Sequence, residues 1–476
     1  MKDKRLVKLI TIVLFVALIA WTVMTLTGQP PAPNAAALGG EASEAYAAAL
    51  ADYNAEVQHG HALLTLGVLA VIAFVFITES FPIAFAAMAI PCYYAVTGIM
   101  PYKEAFSGLV DSSVVLFAGM FIVGGAMFQT GLAQKIGLSC VKIAGGSQTK
   151  LMLAIMAITG ILSAFLSNTG TVAVLLPVCL GIADSSGISR AKLLMPLAVM
   201  ASSGGMITMA GTPPNMSAAA TLENAGISIG FFDFAWFGIP VSIASIVYMM
   251  LLGNRLIPNR HSNIRVEDEE EGKVYDTKKQ IISGIILLVV IAVMATEIIP
   301  LQVAAVIGAI ICVFTGCLTD KEAYASIDWM TIFLFAGALG LANAMKTTGA
   351  GALLADNVVS LLGGSPNPYV LMIVLFLLAG GLTQFMSNTA AAALLCPIGL
   401  SIAQAVGADP TAVVLAIGFA CSSAYVTPVA TPPNTMVYGP GGLVFMDYVK
   451  VGLPLFLLVG LIAVVLVPII WPFFPA

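Results

Sequence analysis

The stretch Leu166-Ser167-Asn168-Thr169-Gly170-Thr171-Val172-Ala173-Val174-Leu175-Leu176 decides the fold. Three polar residues interrupt an apolar run, which then resumes. Met386-Ser387-Asn388-Thr389-Ala390 repeats the interruption 220 residues later. Ser, Asn and Thr are good helix N-caps. Each interruption therefore starts a helix whose free N–H groups and positive dipole end face the break. The arm before it ends there with unpaired carbonyls. One loop thus offers donors to an anion and acceptors to a cation. Ser163 and Thr383 lie at i−4 from Ser167 and Ser387 and add a hydroxyl to the same face.

The second signal is a pair of prolines. Thr212-Pro213-Pro214-Asn215 recurs as Thr431-Pro432-Pro433-Asn434, 219 residues on. Two consecutive prolines remove two backbone donors and disfavour helix at the residue before them. A span is therefore unwound at Gly211-Thr212 and again at Ala430-Thr431. Ser202-Ser203-Gly204-Gly205 leads into the first break and is small enough for close backbone approach. In lipid the freed carbonyls must be met by protein, ion or water. Two tips and two unwound loops then close two cation sites and one central anion site. None of the four motifs contains Asp, Glu, Lys, Arg or His. A single Ser-Asn-Thr in a membrane helix is ordinarily helix–helix glue, and a single Pro-Pro is a kink. Both occurring twice, in matched order, argue for a site.

Further pairs share nearly the same offset. Thr78-Glu79 with Pro82 recurs as Thr296-Glu297 with Pro300, Leu116-Phe117-Ala118-Gly119 as Leu334-Phe335-Ala336-Gly337, and Thr130-Gly131 as Thr348-Gly349, each 218 residues apart. The chain is read as a duplication. Of its 476 residues 59% are apolar and 9% charged, against about 25% charged in soluble domains. Mean hydropathy is +1.01. This excludes a soluble enzyme and a disordered tail. Apolar runs of about 20 residues mark helical spans and not barrel strands. A pI near 5.2 argues against a nucleic-acid partner. No P-loop, nucleophile elbow or metal-ligand triad is present, so transport would run on gradients and not on ATP. The seven cysteines lie in or near apolar runs without a CxxC pair and read as packing residues. His59-Gly60-His61 lacks a third ligand. Glu79 and Glu297 read as structural or interfacial acids near span ends, with gating as the alternative.

Residues 1–60 read as an uncleaved first helix, Leu6 to Thr27, and an external linker, Gly28 to Gly60, with a signal peptide cleaved near Ala35-Ala36-Ala37 as the alternative. The first repeat, 61–254, holds spans near 62–80, 82–99, 113–133, 190–209 and 236–256, with a re-entrant hairpin near 150–186. Residues 255–279 form a charged cytoplasmic hinge. The second repeat, 280–476, holds spans near 280–297, 301–317, 330–345, 411–429 and 450–472, with a hairpin near 369–406. With the N-terminus inside, 17 of the 19 Lys and Arg fall in inner loops, as the positive-inside rule requires. Five spans plus a hairpin per half make the second copy inverted. The expectation is an all-α polytopic protein of about 11 transmembrane helices and two opposed hairpins, with an external C-terminus. Inverted repeats with broken helices mark secondary transporters.

The paired Ser-Asn-Thr motifs, with Gly211-Thr212-Pro213-Pro214-Asn215 and Pro428-Val429-Ala430-Thr431-Pro432-Pro433-Asn434, resemble the divalent anion/sodium symporter family, the INDY-type dicarboxylate and citrate transporters. The resemblance covers about residues 61 to 476. It implies a homodimeric elevator transporter in the inner (plasma) membrane, with a scaffold and a mobile transport domain. It implies substrate carboxylates on Asn168, Thr169, Asn388 and Thr389, helped by Thr212 and Thr431. It implies sodium at Ser163, Ser167, Asn168 and Gly211, and at Thr383, Met386, Asn388 and Ala430. The function it implies is sodium-coupled symport of C4-dicarboxylates such as succinate, malate and fumarate. A sodium-independent exchanger is the alternative on the same scaffold. A membrane sensor or an anion channel is the alternative of another class. A sensor would carry a signalling domain, and a channel a continuous polar pore.

Overall fold

The computed structural model describes residues 2–38, 44–144, 147–259, 275–296, 298–361 and 367–474, and among them every regular element is a helix. Helix α1 runs Lys2–Thr27, α2 Glu44–Thr78, α3 Ile83–Thr97, α4 Ser112–Gln129 and α5 Leu132–Ala144. The first hairpin is α6, Gln148–Phe165, with α7, Asn168–Ser186. It is followed by α8 Ala191–Gly205, α9 Pro213–Asn224 and α10 Ala235–Leu256. The second half holds α11 Thr277–Thr296, α12 Leu301–Phe314, α13 Trp329–Thr347 and α14 Ala350–Leu361. Its hairpin is α15, Pro368–Leu382, with α16, Asn388–Ala405, followed by α17 Pro410–Ser422, α18 Pro432–Tyr438 and α19 Phe445–Ile470. Ten of the described helices are long and apolar enough to cross a membrane.

The paired motifs explain where elements end. Thr130-Gly131 and Thr348-Gly349 close α4 and α13, with both glycines left-handed at φ 72° and 74°, the conformation that ends a helix at least cost. Asp111 and Asp328 cap the starts of α4 and α13, accepting from Ser113 N and Thr331 N. The halves also pack on each other in kind. Helix α4 lies on α12, and α13 lies on α3. Gly119 abuts the backbone of Ala305 and Gly337 that of Ala87. Phe117 and Phe335 meet edge to face at 5.0 Å.

The structure departs from the sequence reading in four places. Helix α2 begins at Glu44, so part of the expected linker is a helical extension of the second span. The segments after the two Thr-Gly turns fold as separate helices, α5 and α14, which the reading missed. The hairpin arms are longer than expected, at 18 and 19 residues in the first half and 15 and 18 in the second. Helices α8 and α17 stop at Gly205 and Ser422, several residues before the expected span ends. Those residues form the approach to each Pro-Pro break. The hinge residues 260–274, Glu297 and the C-terminal residues 475–476 lie outside the described residues. Cys179, Cys312, Cys317, Cys396 and Cys421 are buried in the helix packing, and Cys92 is exposed.

Candidate functional site

At the first tip α6 ends at Phe165 and α7 starts at Asn168, leaving two extended residues between them. Ser167 is the N-cap, its hydroxyl accepting from Gly170 N at 3.1 Å. Asn168 is 7% exposed. Ser163 Oγ donates to Ala201 O at 2.7 Å, across to the helix that leads into the first break. With its amide nitrogen turned inward, Asn168 lies 2.7 Å from Ser163 Oγ, 3.0 Å from Ala201 O and 3.0 Å from Gly211 O. Three oxygens from three elements thus converge on one side chain. Gly205 is pressed between Asn168 and the Gly211 carbonyl, where any Cβ would collide. The need for close backbone approach inferred from Ser202-Ser203-Gly204-Gly205 is met there.

The Pro-Pro breaks have the expected geometry. Thr212 and Thr431 are extended, with φ −146° and −155°, and each is followed by prolines in the first turn of a helix. The last residue of each motif does work that the sequence reading did not assign. Asn215 Nδ2 donates to Thr208 O at 2.9 Å, and Asn434 Nδ2 to Thr427 O at 2.9 Å and Ala424 O at 2.8 Å. Each Asn ties the helix after the break to carbonyls freed before it, which is the satisfaction that a buried backbone needs. The hydroxyls of Thr208 and Thr427 donate to the carbonyls of Ala164 and Gln384 in the hairpins. The signal for these residues was present: Asn closes the repeated motif, and a Thr lies seven residues before it in both halves.

The second tip starts from the same contact. Thr383 Oγ1 donates to Cys421 O at 3.0 Å, the counterpart of Ser163 on Ala201. It then diverges. Helix α15 ends at Leu382, and residues 383–387 are irregular. Gln384 fills the space where the first half has Ala164. Its amide donates to Gly380 O at 2.7 Å and Ser423 O at 3.2 Å, and accepts from Val426 N at 2.9 Å. Asn388 is half-buried and turns back on its own helix, accepting from Thr389 N at 2.8 Å and Thr389 Oγ1 at 3.3 Å. Met386 and Thr389 are buried. Ser387, Asn388, Ala430 and Thr431 line a cavity of about 1040 Å³.

The candidate residues therefore fall into groups. Ser163, Asn168 and Gly211 touch one another. Ser167 caps its helix and faces a separate cavity of about 240 Å³ beside Phe128 and Ser326. Thr169 is exposed. Thr212 is fully buried and its hydroxyl has no hydrogen-bond partner, as is true of Thr171 Oγ1 and Asn215 Oδ1. Asn388, Ala430 and Thr431 share a cavity wall. Ser167 lines the cavity beside Phe128, and Ser387 and Asn388 line the one beside Thr431. The two broken segments do meet. The hydroxyls of Tyr425 and Ser203 lie 2.9 Å apart, and Ser203 Oγ lies 2.9 Å from Ser245 Oγ.

A family model described as citrate transporter matches residues 73–418 and 385–475. An uncharacterised transporter of Haemophilus influenzae is 32% identical over 431 residues, covering 84% of this chain and 89% of that protein. The sodium-dependent dicarboxylate transporter SdcS of Staphylococcus aureus is 27% identical over 437 residues, covering 83% of each. Among solved structures, the YdaH transporter of Alcanivorax borkumensis superposes with a TM-score of 0.60 at 17% identity, over 81% of this chain and 90% of that one. The fold is thus one found in transporters. By its family match, its relatives and its paired broken helices, the chain belongs to the citrate transporter family, among the divalent anion/sodium symporters, and is a multi-pass membrane transporter and not an enzyme.

Proposed function

We propose that the protein carries a C4-dicarboxylate across the inner membrane together with sodium. The observation that carries this reading is the gathering of oxygens at Asn168. Ser163 Oγ, Ala201 O and Gly211 O lie within 3.0 Å of its side-chain amide. With the nitrogen inward, Asn168 satisfies these acceptors itself. With the amide turned over, its oxygen joins theirs, and four oxygens face one point. In that orientation Ser163 Oγ donates to Asn168 Oδ1 at 2.7 Å, the carbonyls of Ala201 and Gly211 are left without the Asn168 donor, and hard cations take such oxygen ligands. Asn168 thus has one state suited to an absent sodium and one suited to a bound sodium. SdcS, at 27% identity, is named for sodium-dependent dicarboxylate transport.

Charge supports the same reading. A dicarboxylate brings about two negative charges to motifs that contain no Lys or Arg. Leaving a charge unpaired in low dielectric costs several kcal/mol or more. Helix N-termini such as those at Asn168 and Asn388 offset about 0.5–2 kcal/mol each. Sodium in the tip loops supplies the remainder. In this reading Asn168, Thr169, Asn388, Thr389, Thr212 and Thr431 serve the substrate. Ser163, Ser167, Asn168, Gly211 and Ala201 serve one sodium, and Thr383, Met386, Asn388 and Ala430 the other. The halves are inverted repeats, the hairpins and broken helices move as an elevator against the rest, and two copies form a dimer. The N-terminus is cytoplasmic and the C-terminus external. The test is uptake of labelled succinate into proteoliposomes with and without an inward sodium gradient. Uptake driven by sodium supports symport. Counterflow that proceeds equally without sodium rejects it in favour of the exchanger.

A further inference from the structure

The cavity of about 1040 Å³ at the second tip has a wall that the motifs do not supply. Opposite Asn388 and Thr431 it is lined by Lys8 of α1 and by Glu79 and Ser80, the turn that ends α2. Helix α1 lies before the first residue of the family match, which starts at 73. It is nonetheless fastened to this turn. Thr11 Oγ1 donates to Ser80 Oγ at 2.9 Å in a buried contact, and Thr78 Oγ1 donates to the same hydroxyl at 3.1 Å. Further along, the hydroxyls of Thr22 and Tyr93 are 2.7 Å apart, and Trp21 fills the space over Gly67. Glu79 holds a left-handed backbone at φ 47°, the one non-glycine among the described residues to do so. A strained turn held by hydroxyls from two helices is a fixed feature. Lys8 is exposed toward the cavity and makes no ion pair within 4.0 Å with Glu79.

We propose that Lys8 is a specificity-determining residue at the cytoplasmic mouth of the cavity at the second tip, a cation that favours a dianion bound from or released to that side, with Glu79 opposing it on the same wall. This rests on the dicarboxylate reading above. The binding motifs hold no cation, so a lysine at the rim is the group that distinguishes a dianion from a neutral solute during entry. A charge acting across about 10 Å of water changes the local concentration of a dianion by roughly two- to fourfold, and salt screens the effect.

The experiment measures succinate uptake kinetics in inside-out proteoliposomes, where the cytoplasmic mouth carrying Lys8 faces the added substrate, in sodium, at about 0.05 M and about 0.5 M ionic strength. Lys8→Gln should raise KM about two- to fourfold at low salt with Vmax unchanged, and the difference should vanish at high salt. Lys8→Arg should behave as wild type. Glu79→Gln should lower KM, the opposite sign. Lys278→Gln, an exposed lysine distant from this cavity wall, should change nothing. Lys8→Gln with an unchanged KM at low salt would overturn the proposal while leaving the functional reading intact. So would a rise in KM in both Lys8→Gln and Glu79→Gln, since that marks a structural pair. No uptake of either succinate or citrate by the wild type would overturn the functional reading, and this proposal with it.

Discussion

The two hairpin tips carry the same three letters and hold them differently. At the first, Asn168 is enclosed among Ser163 Oγ, Ala201 O and Gly211 O. At the second, Asn388 faces a cavity of about 1040 Å³ and hydrogen-bonds within its own helix. The supporting contacts are shared: hydroxyl to carbonyl from Ser163 and Thr383, and the clamps of Asn215 and Asn434. What differs is one turn of chain. The first half passes from α6 to α7 in two extended residues. The second unwinds over 383–387, with Gln384 tied to Ser423 and Val426. A repeated motif therefore fixes where helices break, and the neighbours of the break fix which way its side chain faces.

The largest expected effects come from removing the two asparagines, and they should differ in kind. Each loss removes hydrogen bonds to a charged partner, worth about 1.5–3 kcal/mol, or roughly a 10- to 150-fold fall in affinity. Asn168→Ala should appear mainly as lost sodium dependence of uptake. Asn388→Ala should appear mainly as a raised KM for succinate at saturating sodium. Identical phenotypes in both variants would erase the distinction between the tips, and near-normal uptake in both would make the motifs structural.

Gln384→Ala gives the second half the residue of the first. It removes two donated bonds and one accepted bond, leaving buried backbone groups of Ser423 and Val426 without their side-chain partner. A loss of about 1–3 kcal/mol in unfolding free energy is expected, measured by denaturation in detergent micelles. Unchanged stability would show that Gln384 is not what holds the second tip open. Tyr425→Phe cuts the hydroxyl contact between the two broken segments at a cost of about 0.5–1.5 kcal/mol. The expected result is a few-fold rise in the sodium concentration for half-maximal uptake with dimerisation unaffected. An unchanged sodium curve would mean that the segments act independently.

The smallest effect concerns Asp111, which caps α4 outside the span. Burial, with repulsion from the Glu223 carboxylate, raises its carboxyl above the ordinary range, against hydrogen bonds from Ser113 and Asn224. A raised folded pKa means that the fold disfavours the charged form. That penalty is present at neutral pH and disappears as pH falls through the raised value. Asp111→Asn keeps the cap on Ser113 N. It should be slightly more stable than wild type at pH 7, and the difference should close near about pH 4. A pH-independent difference would remove the charge explanation.

Most of the helix order was legible because lipid forces it. Long apolar runs must be helices, and the Pro-Pro and Ser-Asn-Thr breaks are chemically distinct from them. The hydroxyl of Ser163 on the face of the tip and the freed carbonyl at Gly211 were legible as local facts, and their grouping with Asn168 was implied by the family resemblance. The rest depended on partners distant in sequence. Ala201 contributes only its carbonyl, which no side chain announces. Gln384 and Tyr425 lie one and three residues outside the repeated pattern; Gln384 binds backbone groups about 40 residues away, and Tyr425 meets the Ser203 hydroxyl about 220 residues away. Helices α5 and α14 were missed because the Thr-Gly turns were read as repeat markers and not as helix ends. Lys8 belongs to the first helix, which lies outside the repeated motifs.

The central claim is that the enclosed first tip binds sodium through Asn168 and thereby prepares the protein for a dianion. Equilibrium binding of succinate to purified protein, titrated at rising sodium and compared with potassium and choline, tests it most directly. Wild type should bind succinate more tightly as sodium rises and should not respond to the other two cations, and Asn168→Ala should lose that response. Equal affinity in sodium, potassium and choline would contradict the account.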